Sequence, residues 1–181
     1  SDGEGGGYNC LICLEGNLTP GYQGIRAYEG AFYGDGNSYN LPTQNLFYSF
    51  EFQDPRRDAT CLNLDNFISN NSPGSTYSIG GGGHTGLFNN KYIKSKAEMS
   101  GLGDNDLTSG VNYRVIRYAD VLLMAAETSN RLGYDTVALE YLNLVRSRVS
   151  LPLKTFETNE KLYEDILKER APIHVRLVKG A

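Results

Sequence analysis

The chain has 181 residues, 40% hydrophobic and 11% aromatic, with a formal net charge of −4. That is enough apolar surface for one packed core and too much for a disordered chain. The acidic balance, with no Lys/Arg cluster beyond Arg56-Arg57, argues against a nucleic-acid binder, which needs a positive field toward phosphates, and the longest apolar run, Val121 to Ala126, falls far short of the roughly 18 residues of a membrane-spanning helix.

Glycine divides the chain. Nineteen of its 21 glycines precede residue 111, and that part also holds 12 Asp+Glu against 6 Lys+Arg, whereas residues 111–181 hold 9 against 11. The expected organisation is one domain made of a loop-rich, acidic region over 1–110, a helical region over 111–170 and a short tail over 171–181. The fold class that follows is mainly α, with irregular loops and a small β component.

Ser1 to Gly7 is polar and lacks the basic and then apolar stretch of a secretory segment. With no initiating Met, the N-terminus reads as a processing site or the edge of a fragment. One short strand is expected near Tyr8 to Leu14, and Gly or Pro then interrupts the chain every few residues up to Gly36. Leu41-Pro42-Thr43-Gln44 opens a short helix, with Thr43 as its cap and Leu46, Phe47 and Phe50 on one side. It stops before Asp54-Pro55, because a residue ahead of proline is pushed out of the helical region. Asp58 to Leu64 reads as a half-buried strand, Ser69 to Gly86 as a loop of Asn, Ser, Gly and Pro, Leu87 to Ser95 as a second strand, and Ala97 to Gly110 again as loop.

From Tyr113 to Leu132 the apolar residues Val115, Ile116, Ala119, Leu122, Leu123 and Ala126 recur at helical spacing, and Gly133 stands where a left-handed cap residue is wanted. Asp135 is placed to cap a second helix with a stripe of Val137, Ala138, Tyr141, Leu142, Val145 and Val149, ended by Leu151-Pro152. A two-residue link makes the two helices antiparallel neighbours. A third helix starts near Thr158-Asn159-Glu160, carries Leu162, Tyr163, Ile166 and Leu167, and should pack on this hairpin.

The run Arg117-Tyr118-Ala119-Asp120-Val121-Leu122-Leu123-Met124-Ala125-Ala126-Glu127, then Leu132-Gly133, then Ala138-Leu139-Glu140-Tyr141-Leu142-Asn143-Leu144-Val145-Arg146, closely resembles the C-terminal region of SusD/RagB-type outer-membrane proteins of Bacteroidetes. Upstream, Pro42-Thr43-Gln44-Asn45-Leu46, Asp54-Pro55-Arg56-Arg57-Asp58 and Lys91-Tyr92 resemble that family's earlier landmarks in the same order, and Ile166-Leu167-Lys168-Glu169-Arg170 its next helix. After Arg170 the likeness breaks, since Pro172 would end a helix that family members continue. The resemblance implies a tetratricopeptide-like helical architecture, present here in part, and marks the chain as an internal or C-terminal fragment without the family's lipid-anchoring N-terminal portion.

What the resemblance implies for function is non-catalytic capture of glycans on the extracellular face of the outer membrane. Delivery to a SusC-like TonB-dependent transporter would follow, with no cofactor, no metal, no nucleic acid, and the membrane reached only through an N-terminal lipid anchor. The alternative it leaves open is a helical protein-interaction module that docks on the transporter without a ligand site of its own. Sugars are held by aromatic faces over their C–H patches, with amides and carboxylates taking the hydroxyls. Tyr22, Tyr28, Tyr33, Tyr39 and Tyr77, in loops rich in Asn, Gln, Asp and Gly, are the candidate ligand-binding residues; Tyr8 and Phe32 belong to the same set. For each taken alone the stronger reading is the ordinary one, a tyrosine half-buried with its hydroxyl wet.

Arg56 and Arg57 lie in an acid–base turn with Asp54 and Asp58. Arg117, Asp120 and Glu127 lie on the more polar side of the first long helix, at spacings of three and seven. Both sets read as structural, the second fixing the helix against the strand region.

Other constellations carry less. Cys10-Leu11-Ile12-Cys13 has redox spacing, but no helix follows to lower a thiol pKa, and with Cys61 and His84 it forms no second close zinc pair. Gly80 to Gly86 lacks the Gly-Lys-Ser/Thr ending of a phosphate loop. Asp104-Asn105-Asp106 lacks the later calcium-loop positions. No catalytic set is apparent.

Overall fold

A computed structural model describes residues 19–80, 83–98 and 114–170. It is mainly helical with one small sheet, in the order α1 (Thr19–Gln23), α2 (Gln44–Ser49), α3 (Arg56–Thr60), β1 (Cys61–Asn63), α4 (Leu64–Asn71), β2 (Leu87–Asn89), α5 (Tyr118–Arg131), α6 (Asp135–Ser147) and α7 (Asn159–Arg170). The described residues group into two compact units: 19–44 with 58–98, and 45–57 with 114–170. Residues 45–57, read from sequence with the loop-rich front, thus belong with the helices.

The first unit is built on the antiparallel pair β1–β2, in register Cys61 to Asn89, Leu62 to Phe88 and Asn63 to Leu87. Its core joins Leu62 and Phe88 to Ile25, Tyr28, Leu64 and Ile93, with Phe67, Ile68 and Tyr77 packed around them. Loop backbone is drawn in closely as well. Ile25 and Asp35 form a parallel bridge, and a Cβ on Gly36 would stand 2.4 Å from Gly24 Cα, so only glycine fits there.

The expected strand over 58–64 is reduced to Cys61–Asn63, with helix on both sides. Asn63 ends the strand and caps α4, its side-chain oxygen accepting from the Asn66 N–H at 3.0 Å. Leu64, Phe67 and Ile68, at spacings of three and four, are the buried and half-buried stripe of that helix. The polar tail Ser69-Asn70-Asn71 masked this period. The second strand stops at Asn89 rather than Ser95, and Lys96–Glu98 forms a short 3-10 turn.

The second unit is a three-helix cluster. Ala119, Leu122, Leu123 and Ala126 of α5, Ala138, Leu142 and Val145 of α6, and Leu162 and Ile166 of α7 form one buried core. Helix α5 starts at Tyr118, five residues later than the apolar period suggests. The Asp120 carboxylate accepts from the Arg117 N–H at 2.8 Å and fixes the start, leaving Val115 and Ile116 outside and exposed. Gly133, at φ +78, supplies the left-handed link to α6.

Asp135 is the first residue of α6 rather than its cap. Its carboxylate accepts from the side-chain amides of Asn130 (3.0 Å) and Asn159 (2.8 Å). Asn130 and Asn159 each also donate to the other's backbone carbonyl. The end of α5 and the starts of α6 and α7 therefore meet in one hydrogen-bonded knot. The strand expected over 8–14 and the tail after Arg170 lie outside the described residues.

Candidate ligand-binding face and its support

All five candidate tyrosines belong to the first unit, but they do not do the same thing. Tyr22 and Tyr39 stack with ring centroids 6.0 Å apart and planes 29° apart, and they are 38% and 56% exposed. The Tyr39 N–H donates to the Tyr22 carbonyl at 2.8 Å, fixing their separation. Tyr39 sits between two non-glycine residues in the left-handed region, Ser38 (φ 55) and Asn40 (φ 59). The Ser38 hydroxyl accepts from the Arg26 N–H at 2.8 Å, which helps hold this backbone. Such conformations cost of order 1–3 kcal/mol each and persist where the surroundings impose them.

Tyr28, by contrast, is a core residue at 5% exposure, with its edge against Tyr33 at 5.6 Å. Tyr33 is half-buried and packs on Phe67 at 5.1 Å; burial, then the neighbouring Tyr28, raises its phenol pKa. Phe32 turns its edge to the same Phe67 at 5.3 Å and remains exposed. Tyr77 lies against Phe88 at 5.7 Å and donates to Asp65 Oδ1 at 2.8 Å. Tyr28, Tyr33 and Tyr77 thus pack in and around the core of the first unit, while Tyr22 and Tyr39 present a face. Tyr8 lies outside the described residues.

Burial, then the bond to Asp65, pushes the Tyr77 phenol up from 10.0 to about 12. The folded state prefers the neutral form, so the stability it contributes is whole below pH 10 and is lost as pH rises through about 12. In an ultraviolet tyrosinate titration, the folded chain should therefore show one more phenol titrating late than a Tyr77→Phe variant. A titration identical in the two proteins would contradict this bond.

The structural set lies chiefly in the second unit. Arg56 grips both oxygens of Asp54 (2.7–3.1 Å) and pairs with Glu169 of α7. Arg57 lies over the Phe47 ring at 5.1 Å. Arg117 pairs with Asp120 at 3.6 Å, one turn along α5, and Glu127 pairs with Arg170 of α7. Both of these pairs lie within the helical unit.

The centre of this system escaped sequence reasoning. Arg146, on the buried stripe of α6 and 2% exposed, holds Glu51 through two bonds (2.8 and 2.9 Å), Glu169 at 2.8 Å and the Pro152 carbonyl at 2.8 Å. Its hydrogen bonds to Glu51 hold that carboxyl below the usual range against the opposing effect of burial. The one legible signal was an arginine continuing an apolar stripe.

Cys61 carries a buried thiol in β1, and His84 is exposed. Cys10, Cys13, His174 and Asp104-Asn105-Asp106 lie outside the described residues. Among the described residues no group of three or more His, Cys, Asp or Glu is placed to hold a metal ion, and no helix is long and apolar enough to cross a membrane.

Comparison with known proteins places this arrangement. SusD-like protein P2 of Formosa agariphila is 30% identical over 154 residues, which is 80% of this chain and 29% of that protein. Surface glycan-binding protein A from Bacteroides uniformis matches with a TM-score of 0.66 and 27% identity, over 87% of this chain and 32% of that one. Surface glycan-binding protein A from Bacteroides thetaiotaomicron, in complex with laminarihexaose, shares the fold at a TM-score of 0.59 and 24% identity, over 86% and 35%. The chain spans about a third of the length of these relatives. The SusD family model matches residues 22–172, taking in the tyrosine pair, the small sheet and all three long helices, and the chain belongs to the SusD family.

Proposed function

We propose that this chain supplies a saccharide-binding face to a non-catalytic glycan-binding protein, lipid-anchored on the extracellular side of the outer membrane. The captured glycan is passed to a SusC-like TonB-dependent transporter. Membership of the SusD family over residues 22–172 carries this reading, and the exposed stack of Tyr22 and Tyr39 supports a binding face at that pair. Two rings held by a backbone hydrogen bond offer apolar area to the C–H side of a sugar at little ordering cost.

A glycan array followed by calorimetry tests both parts. Saturable binding of at least one neutral oligosaccharide is expected, weakened about tenfold by Tyr22→Ala or Tyr39→Ala, the loss of roughly 1.4 kcal/mol of ring contact. No saturable glycan would remove the function, and unchanged affinity in the double variant would move the face elsewhere.

A second reading has its own observation. Helix α5 exposes Tyr118, Val121 and Met124 opposite its buried face, and α6 exposes Leu144, apolar surface of the kind found at protein interfaces. That favours docking on the transporter. Capture of the transporter by a chain that binds no glycan would support this reading in place of the first.

A further inference from the structure

We propose that the helical unit carries a second saccharide contact, in the cleft between residues 51–55 and 149–152, with Phe52 as its stacking face. This rests on the glycan-binding reading above and adds a site to it. The cleft has a volume of about 710 Å3, inside the roughly 300–1,000 Å3 range of small-molecule sites. Glu51, Phe52 and Gln53 form one wall, and Val149, Ser150 and Pro152 the other. Phe52 is 86% exposed. A lone exposed phenylalanine means little, but this one borders a cleft whose other walls alternate apolar and hydroxyl-binding groups.

Both walls are preformed. Gln53 (φ 65) and Ser150 (φ 57) both line the cleft, and both lie in the left-handed region that non-glycine residues avoid. One buried guanidinium ties the two walls: Arg146 holds both oxygens of Glu51 on one side and the Pro152 carbonyl on the other. The Leu151 N–H adds a bond to the Arg146 carbonyl at 3.2 Å. A ligand entering such a cleft has little to order.

Charge selects the ligand class. Glu51 is already matched by Arg146 and by Lys154 at 3.7 Å, so the cleft offers neither a spare carboxylate to a cation nor a spare cation to an anion. What remains is the Phe52 ring, the Gln53 amide, the Ser150 hydroxyl and the unused lone pairs of the Glu51 carboxylate. These suit a neutral, hydroxyl-rich ring with one apolar face.

The test uses the full chain and calorimetry with a panel of neutral hexasaccharides that includes laminarihexaose. Wild type should show two binding events. Tyr22→Ala with Tyr39→Ala should leave the second, and adding Phe52→Ala should abolish it or weaken it about tenfold. An unchanged melting temperature for Phe52→Ala is expected, because the side chain is exposed. Loss of all binding in the tyrosine double variant, or unchanged binding in Phe52→Ala, overturns this site and leaves the first standing. Loss of a protein partner alone in Phe52→Ala also overturns it. If no hexasaccharide saturates wild type, the glycan reading falls, and this site with it.

Discussion

Arg146→Ala lowers the unfolding free energy by about 3–5 kcal/mol, the usual cost of removing one partner from a buried ionic cluster. Arg146 is nearly inaccessible and Glu169 beside it has a side chain only 3% exposed. Without the guanidinium, Glu169 keeps Arg56 alone among the partners seen here, and the Pro152 carbonyl loses a donor. Arg146→Lys should fall between wild type and alanine, because an ammonium keeps the charge but not the fork that spans Glu51, Glu169 and Pro152. Glu51→Gln, at a side chain 45% exposed, should cost no more than about 1 kcal/mol.

Urea unfolding of the four proteins orders them. An Arg146→Ala midpoint no lower than that of Glu51→Gln would show that the cluster is not what fastens residues 51–54 to the helices. The pH dependence has a fixed sign. The Glu51 carboxyl is held below its ordinary 4.5, so its contribution is whole above that value and is lost as acid carries the pH through the lower folded value.

Phe88→Ala should cost the first unit about 3–5 kcal/mol, the range for emptying a fully enclosed phenylalanine site. Phe88 is completely buried, stands opposite Leu62 in the strand pair and supports the Tyr77 ring. With 13 tyrosines and no tryptophan, unfolding can be followed by tyrosine fluorescence. Phe32→Ala is the matched control: its ring is exposed and its loss should cost far less. Equal losses at the two positions would mean that the core is not centred on the β pair.

The long helices were readable from sequence because their apolar residues recur at 3.6 and Gly133 closes the first. Helix α4 was not. Its eight residues carry only Leu64, Phe67 and Ile68 as apolar markers, and the end of the preceding strand shares its cap residue, Asn63. The tyrosines were readable as a group but not one by one, since the same side chain serves as core at Tyr28 and as surface at Tyr39. The ionic cluster was half readable. Arg56 and Asp54 adjoin in sequence, whereas Arg146 and Glu51 stand 95 positions apart and Arg56 and Glu169 stand 113 apart, and nothing local announces such a pairing.

The connection from α6 to α7 has a limit on its length that its irregular backbone hides. The Asn143 side chain accepts from the Lys154 N–H at 2.8 Å and donates to the Lys154 carbonyl at 3.0 Å, filling both backbone valences as a neighbouring strand would. Together with the Arg146 bond to Pro152, this measures the chain from residue 146 to residue 154 against α6. An inserted residue there must break one of these bonds, whereas the exposed stretch from Thr155 to Glu157 has slack. Within one loop, lengthening is open on the side nearer α7 and closed on the side nearer α6.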